Sequence, residues 1–256
     1  MQLHYNSYGS ESALPLIVLH GLLGSSDNWH LFGKIFGMHF HTFALDARNH
    51  GRSPHSEVFH YQAMSEDVIE FLDHHQIPSA TLLGHSMGGK TAALTALCHP
   101  ERVDKLIVVD IAPRSYQTHH DLVLDALTSL NLSSFEFRKD IDHALAQTIQ
   151  DISVRQFLMK NLLRDANGRF QWKMNLEVIE KNYAQINEEL PSDKQYDKPT
   201  LFIRGEHSEY IGMGDLPGIH RLFPKAEVIT VNNAGHWVHV DAPEEFTANV
   251  LAFLQN

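Results

Sequence analysis

The chain has 256 residues, of which 43% are hydrophobic and 20% charged, the proportions of a folded globular protein rather than a disordered one. Its apolar runs, such as Leu14 to Leu19 and Leu106 to Val109, are of strand length and too short to span a bilayer, and the length suits one large domain or a smaller one carrying an insertion. A formal charge of −11, with no cluster of Lys and Arg among aromatic residues, opposes binding to nucleic-acid phosphates.

In chain order, Leu3 to Tyr8 predicts an edge strand, and short apolar, β-branched runs predict strands at 14–19, 39–45, 80–84, 105–110, 199–204 and 226–231. Helix-like stretches separate them: Met64, Val68, Phe71 and Leu72 share one face, and Asp241-Ala242-Pro243-Glu244 resembles a capped start to a last helix running through Phe253. Strands alternating with helices imply an α/β fold with a mostly parallel sheet covered on both faces. The alternation breaks after Ile111-Ala112-Pro113, where about eighty residues, to Pro191, contain no convincing strand. Leu122, Val123, Ala126, Leu127 and Leu130 recur at helical spacing, as do Val154, Phe157, Leu158 and Leu162. The expected organisation is therefore a core of residues 1–112 and 196–256 with a helical cap, 113–195, inserted between strands. An insertion there overlies the strand ends where open α/β sheets bind ligands, which predicts a lid. Phe135, Phe157, Phe170 and Trp172 are its candidate acyl-pocket residues.

Leu82-Leu83-Gly84-His85-Ser86-Met87-Gly88-Gly89 carries the chemistry. An apolar strand ending in G-x-S-x-G and followed by a helix rich in Ala and Leu is how a sheet presents a nucleophilic serine, because glycines two before and two after it avoid clashes across the turn. Ser86 is the candidate nucleophile. A serine hydroxyl needs a base to take its proton and an acid to orient that base. His236, in the loop Asn232-Asn233-Ala234-Gly235-His236-Trp237 after the last strand, is the candidate base, with His239 a weaker alternative. His85 is expected to pack beside the elbow. The oxyanion donors are assigned by position to the backbone amides of Met87 and of Leu22, in the loop His20-Gly21-Leu22-Leu23-Gly24.

The HGLLG loop, the run Asp46-Ala47-Arg48-Asn49-His50-Gly51-Arg52-Ser53, GHSMGG and AGHW together resemble the α/β-hydrolase superfamily over essentially the whole chain. Within it, the Asp46 to Ser53 run, Val109-Asp110-Ile111-Ala112-Pro113 and the short length resemble the bacterial YbfF-type esterases. That resemblance implies hydrolysis of acyl esters, with acyl-CoA thioesters as a further substrate class, and no metal or organic cofactor. The superfamily's usual acid follows the strand that here reads Thr200 to Gly205, in a G-x-x-D pattern, but this chain has Ser208 there. A serine cannot carry the charge that stabilises a forming imidazolium. Glu206, Glu209 and Asp215 would each need a shifted loop. Asp110, at the end of the strand beginning near residue 105, lies on the same sheet edge as the elbow and is favoured as the acid, as the YbfF-type resemblance also implies. Ser208 is then an auxiliary partner of His236 or Asp110. Asp46 is read as a structural turn with charge pairing to Arg48, and Asn49 and His50 as loop braces.

The single cysteine, Cys98, excludes an intrachain disulfide and reads as a packed thiol, while the 19 histidines show no metal-ligand spacing and read mostly as solvated. The N-terminus lacks the pattern of a signal peptide, so a cytoplasmic location is expected. The leading expectation is a serine esterase working through an acyl-enzyme on a small acyl ester or thioester. Its rivals are a carbon-carbon bond hydrolase or lyase of the menaquinone-pathway type and a non-catalytic binding protein on the same scaffold. The sequence leaves the oligomeric state open.

Overall fold

A computed structural model describes residues 1–117, 121–191 and 193–255. The first strands are β1 (Tyr5–Tyr8), β2 (Pro15–Leu19), β3 (His41–Leu45), β4 (Ala80–His85) and β5 (Val103–Val109), with helices α1 (His30–Phe36), α2 (Tyr61–His74) and α3 (Met87–Cys98) between them. The stretch after β5 contributes α4 (Asp121–Thr128), α5 (Arg138–Leu145), α6 (Ile152–Met159), β6 (Leu162–Arg164), β7 (Phe170–Trp172), α7 (Leu176–Lys181) and α8 (Tyr183–Ile186). The chain then returns through β8 (Thr200–Gly205), α9 (Leu216–Leu222), β9 (Ala226–Val231), α10 (Val238–Asp241) and α11 (Pro243–Gln255). The main sheet has seven strands in the order β1-β3-β2-β4-β5-β8-β9. Only β1 runs antiparallel within it.

Alternate residues of the central strands feed two separate cores, which is why those strands read as unbroken apolar runs. Leu82, Leu106 and Val108 face a layer built by α2 and α3. Leu83, Ile107 and Val109 face Phe32 and Phe36 of α1 and Phe246, Val250 and Leu254 of α11. Each such fully buried side chain contributes about 1.5–3 kcal/mol relative to exposure. Helix α3 is buried along almost its whole length, so its register behind β4 leaves little room to move. Cys98, at its end, is half-buried.

One expectation needs correction. The stretch from 113 to 191 is not all helical: β6 and β7 form an antiparallel hairpin, Leu163 opposite Gln171, and Leu162 sits in it rather than on the helical stripe, because α6 stops at Met159. Three-residue strands are too short for a period-two pattern to stand out. The turn carried a readable signal, Asn167-Gly168, with Gly168 at φ 78° and the Asp165 carboxylate accepting from the amides of Asn167 and Arg169. The last helix starts where the Asp241-Ala242-Pro243-Glu244 segment predicted, as α11, and is preceded by the four-residue α10.

The stretch between β5 and β8 is tied at two places to the helices and loops around the sheet. Tyr61 Oη donates to the Ile186 carbonyl at 2.7 Å, and buried Lys90 of α3 donates to the Glu188 carbonyl and lies over the rings of Tyr61 and Tyr116. On the hairpin side, Asn161 Nδ2 donates to the Leu23 carbonyl at 2.6 Å, the Asn175 amide to the Asn49 carbonyl at 2.9 Å, and Lys173 Nζ to Asp27 at 3.2 Å. Among the described residues no helix is long and apolar enough to cross a membrane.

Candidate active site

Strand β4 passes directly into α3 through Ser86, whose backbone is held at φ 53°, ψ −118°, a conformation most side chains avoid. The turn closes because Gly84 and Gly88 lack side chains: a Cβ on Gly84 would collide with the Gly88 carbonyl, and one on Gly88 with the carbonyl of Leu19 on β2. The Ser86 amide donates to the Val109 carbonyl at 3.0 Å, which pins the elbow to β5. Met87 opens α3, so its amide has no acceptor within the helix and lies at the positive end of the helix dipole.

Asp110 follows β5 directly and is fully buried. It has φ 52°, and its amide donates to the Ile203 carbonyl of β8 at 2.8 Å. One carboxylate oxygen accepts the Gly205 amide at 3.0 Å. The other accepts both His236 Nδ1–H, at 2.8 Å, and the Ser208 hydroxyl. Ser208 Oγ in turn accepts the Tyr210 amide at 3.2 Å. The residues expected to form the acid and its auxiliary are thus adjacent, and the imidazole they hold presents its free Nε2 edge away from the carboxylate.

His236 is fixed on its other sides. The Tyr210 ring stacks on the imidazole with centroids 3.9 Å apart and planes 22° from parallel. His85 Nε2–H donates to the His236 carbonyl at 2.9 Å, and the Asp241 carboxylate accepts the neighbouring Gly235 amide at 2.8 Å. Burial, followed by the nearby His236 and His239, holds the His85 imidazole well below its ordinary range. His239, the weaker candidate base, lies stacked on Trp29 at 4.6 Å, and burial lowers it to about 3. Neither supplies a positive charge beside His236 at neutral pH. Tyr210 went unrecognised in the sequence, where a tyrosine in a loop five residues past a strand carries no local signal.

Ser86, His236, Leu22, Phe157 and Trp237 line one cavity of about 340 Å³, within the range of small-molecule sites. Of the four aromatic residues expected in an acyl pocket, Phe157 lines this cavity. Phe170 and Trp172 instead line a shallow surface groove with Leu127 and Leu176, and Phe135 packs against the core. Asp46 does not pair with Arg48. Its carboxylate accepts the amides of Ser26 and Arg52, at 2.6 and 2.9 Å, while Arg48 pairs with the buried Asp67 at 2.6 Å. Asn49 and His50 brace loops as expected: Asn49 bonds Ser56 in both directions, and His50 Nε2 accepts the Leu23 amide at 3.2 Å. Four histidines, His20, His50, His85 and His239, are buried rather than solvated. Among the described residues no cluster of three His, Cys, Asp or Glu could hold a metal ion.

A strained serine at a strand-to-helix elbow, an acid after the next strand and a histidine after the last strand, on a seven-stranded, mostly parallel sheet, define the α/β-hydrolase class, and the chain belongs to it: the alpha/beta hydrolase fold family matches residues 15–243. The chain is similar along its length to esterases and lipases. It is 35% identical over 246 residues to Esterase YbfF of Escherichia coli, covering 94% of this chain and 93% of that one. It is 38% identical over 255 residues to the sn-1-specific diacylglycerol lipase ABHD11 of Danio rerio, covering 96% of this chain and 80% of that one. Among solved structures, a marine microorganism esterase superposes with a TM-score of 0.96 at 40% identity, covering 98% and 99% of the two chains.

Proposed function

We propose that the chain is a serine esterase that cleaves acyl esters, and acyl thioesters, through an acyl-enzyme. The observation that carries this reading is the line of contacts from Ser208 through Asp110 to His236, with His236 and Ser86 opening onto the same cavity. Ser86 Oγ attacks the acyl carbonyl while His236 Nε2 takes its proton. Asp110 holds His236 in the Nδ1–H tautomer and stabilises the imidazolium. The Leu22 and Met87 amides donate to the oxyanion of the tetrahedral intermediate. Collapse of that intermediate breaks the ester bond, and His236 returns the proton to the departing alcohol or thiol. Water, deprotonated by His236, then attacks the acyl-enzyme and releases the carboxylic acid and free Ser86.

Ser208 secures the carboxylate oxygen that His236 uses, so the reading assigns it an auxiliary role. Residues 113–195 act as a cap: α6 contributes Val154, Phe157 and Leu158 to the cavity wall, and that apolar wall suits an acyl chain.

The test is kcat/KM for p-nitrophenyl acyl esters from short to long, extended to a diacylglycerol and an acyl-CoA, with Ser86→Ala as control and a serine-directed phosphonate as label. The expected result is turnover and labelling in the wild type and neither in Ser86→Ala. Turnover that survives Ser86→Ala overturns the assignment.

A further inference from the structure

The turn Gly21–Gly24, closed by the Gly24 amide on the Gly21 carbonyl at 3.0 Å, puts Leu23 at φ 60°. That third position of a type II turn ordinarily belongs to Gly or Asn, so a leucine stays there only if the surroundings hold it. Three consecutive peptide units of the turn are held. The Gly21 carbonyl, in the same rigid peptide plane as the Leu22 amide, accepts His20 Nδ1–H at 2.8 Å as well as the Gly24 amide. The Leu23 amide donates to His50 Nε2 at 3.2 Å. The Leu23 carbonyl accepts Asn161 Nδ2–H at 2.6 Å.

The first two holds come from the core and the third from the cap. His50 donates Nδ1–H to the Arg48 carbonyl at 2.9 Å, which leaves Nε2 as the acceptor Leu23 needs, and burial keeps the ring neutral. Asn161 is almost fully buried. It lies two residues past the end of α6, its own amide bonded to the Leu158 carbonyl at 3.0 Å and its carbonyl to the Lys173 amide at 2.8 Å, so its side chain is aimed by the hairpin base. It makes no hydrogen bond to Ser86 or His236 and does not line their cavity, and Lys173 and Asn175 tie the cap to the core by separate bonds.

We infer that Asn161 is a positioning residue for catalysis: from the cap, it fixes Leu23 in the left-handed turn that aims the Leu22 amide at the oxyanion, so the oxyanion hole is complete only with the cap docked. The inference rests on the oxyanion role proposed above for Leu22. It also links the cavity to the chemistry, because the α6 residues that line the acyl site lead directly into Asn161, and a chain that pushes α6 aside loosens the turn.

The experiment compares the wild type with Asn161→Leu, which removes the donor at similar volume, with the isosteric Asn161→Asp, which replaces it with an acceptor, and with Lys173→Met, which cuts a neighbouring cap-to-core contact that does not touch the turn. Each is assayed for kcat and KM on a p-nitrophenyl ester. Each is also titrated with a trifluoromethyl ketone, whose serine adduct carries an oxyanion, and with the product carboxylic acid. Both Asn161 variants are expected to lose about ten- to hundredfold in kcat with KM little changed, short of the full loss of an oxyanion donor. Their affinity for the ketone falls in parallel, their affinity for the acid stays, and Lys173→Met behaves as wild type. Wild-type kcat and ketone affinity in a folded Asn161 variant overturn the inference, as does an equal loss in Lys173→Met. If Asn161→Leu fails to fold, Asn161→Asp alone decides. A wild type with no Ser86-dependent turnover and no ketone binding overturns the esterase reading itself, which separates the two failures.

Discussion

At the residue scale the site gathers unfavourable backbone conformations. Leu23, Ser86 and Asp110 all have positive φ without being glycine, and each is held by hydrogen bonds from another element rather than by its own preference. Asp110 shows the cost of that arrangement: buried completely, its carboxylate needs the Gly205 amide, the Ser208 hydroxyl and His236 together. Asp110→Asn is therefore expected to lower kcat by about 10³- to 10⁴-fold, through loss of tautomer control, with the fold intact by circular dichroism. Ser208→Ala removes one hydrogen bond to a charged acceptor, about 1.5–3 kcal/mol, which limits its loss in kcat/KM to roughly ten- to hundredfold. Steady-state kinetics on the two variants check the ranking, and an equal loss in both means that Ser208 does more than hold the acid. Ser208 also shows how far residue-level reading went. Its identity announced that the acid lies elsewhere, but the contact with Asp110 spans the sheet edge from the end of β5 to the loop after β8 and has no trace in local pattern.

At the element scale the elbow depends on helix α3 lying hard against β2 and β4. Gly88→Ala places a methyl group against the Leu19 carbonyl, and backbone on both sides leaves nothing to yield. The expected outcome is a loss of at least about 3 kcal/mol, read as a fall in melting temperature of roughly 10 °C or as failure to fold. Helix α6 is secured more lightly, by its N-cap: Asp151 accepts the amides of Ser153 and Val154. Asp151→Ala should cost about 1 kcal/mol, a fall in melting temperature of about 2–4 °C. Because α6 lines the cavity, the same variant is expected to alter acyl-chain preference across the ester series more than it alters turnover of the shortest ester. The elements themselves were legible where their pattern was long. The strands at 80–84 and 226–231 lie where expected, whereas the β6–β7 hairpin, three residues a side, was hidden between two helical stripes.

At the scale of the whole molecule, buried imidazoles set the response to pH. His50 and His239 are lowered to about 3 by burial, and His20 and His85 are lowered for the same reason. Between the ordinary value near 6.5 and the lowered one, the unfolded chain binds protons that the folded chain refuses, so stability is complete above about pH 6.5 and falls as the pH drops toward 3. At pH 5 the loss is about 2 kcal/mol for each of His50 and His239. Lys90, lowered to about 7 chiefly by burial, extends the same slope upward, since stability then rises with pH from about 7 toward the ordinary lysine value. His239→Phe keeps the stack on Trp29 and removes one titrating group whose Nδ1 is buried without a partner. Thermal melts at pH 8 and pH 5 are expected to show a smaller difference between the two pH values for the variant than for the wild type, and an unchanged difference means that His239 is not neutral in the fold.

The sequence by itself determined the strands along the chain, the elbow and its two glycines, the loop proposed to bear the oxyanion donor and the positions of Ser86 and His236. All of these rest on residues within a few positions of one another, where propensity, periodicity and turn chemistry act. The sequence also nominated Asp110 and Ser208 as partners of His236, but only the tertiary structure decided that Tyr210 stacks on His236, that four histidines are buried around the site and that Asn161 reaches Leu23. Those pairings join residues 26 to 151 positions apart, and they come about because the sheet order brings β4, β5, β8 and β9 side by side and sets Asn161 and Asn175 against the loops after β2 and β3. Proximity of that kind is a property of how layers pack, and no local stretch of chain encodes it.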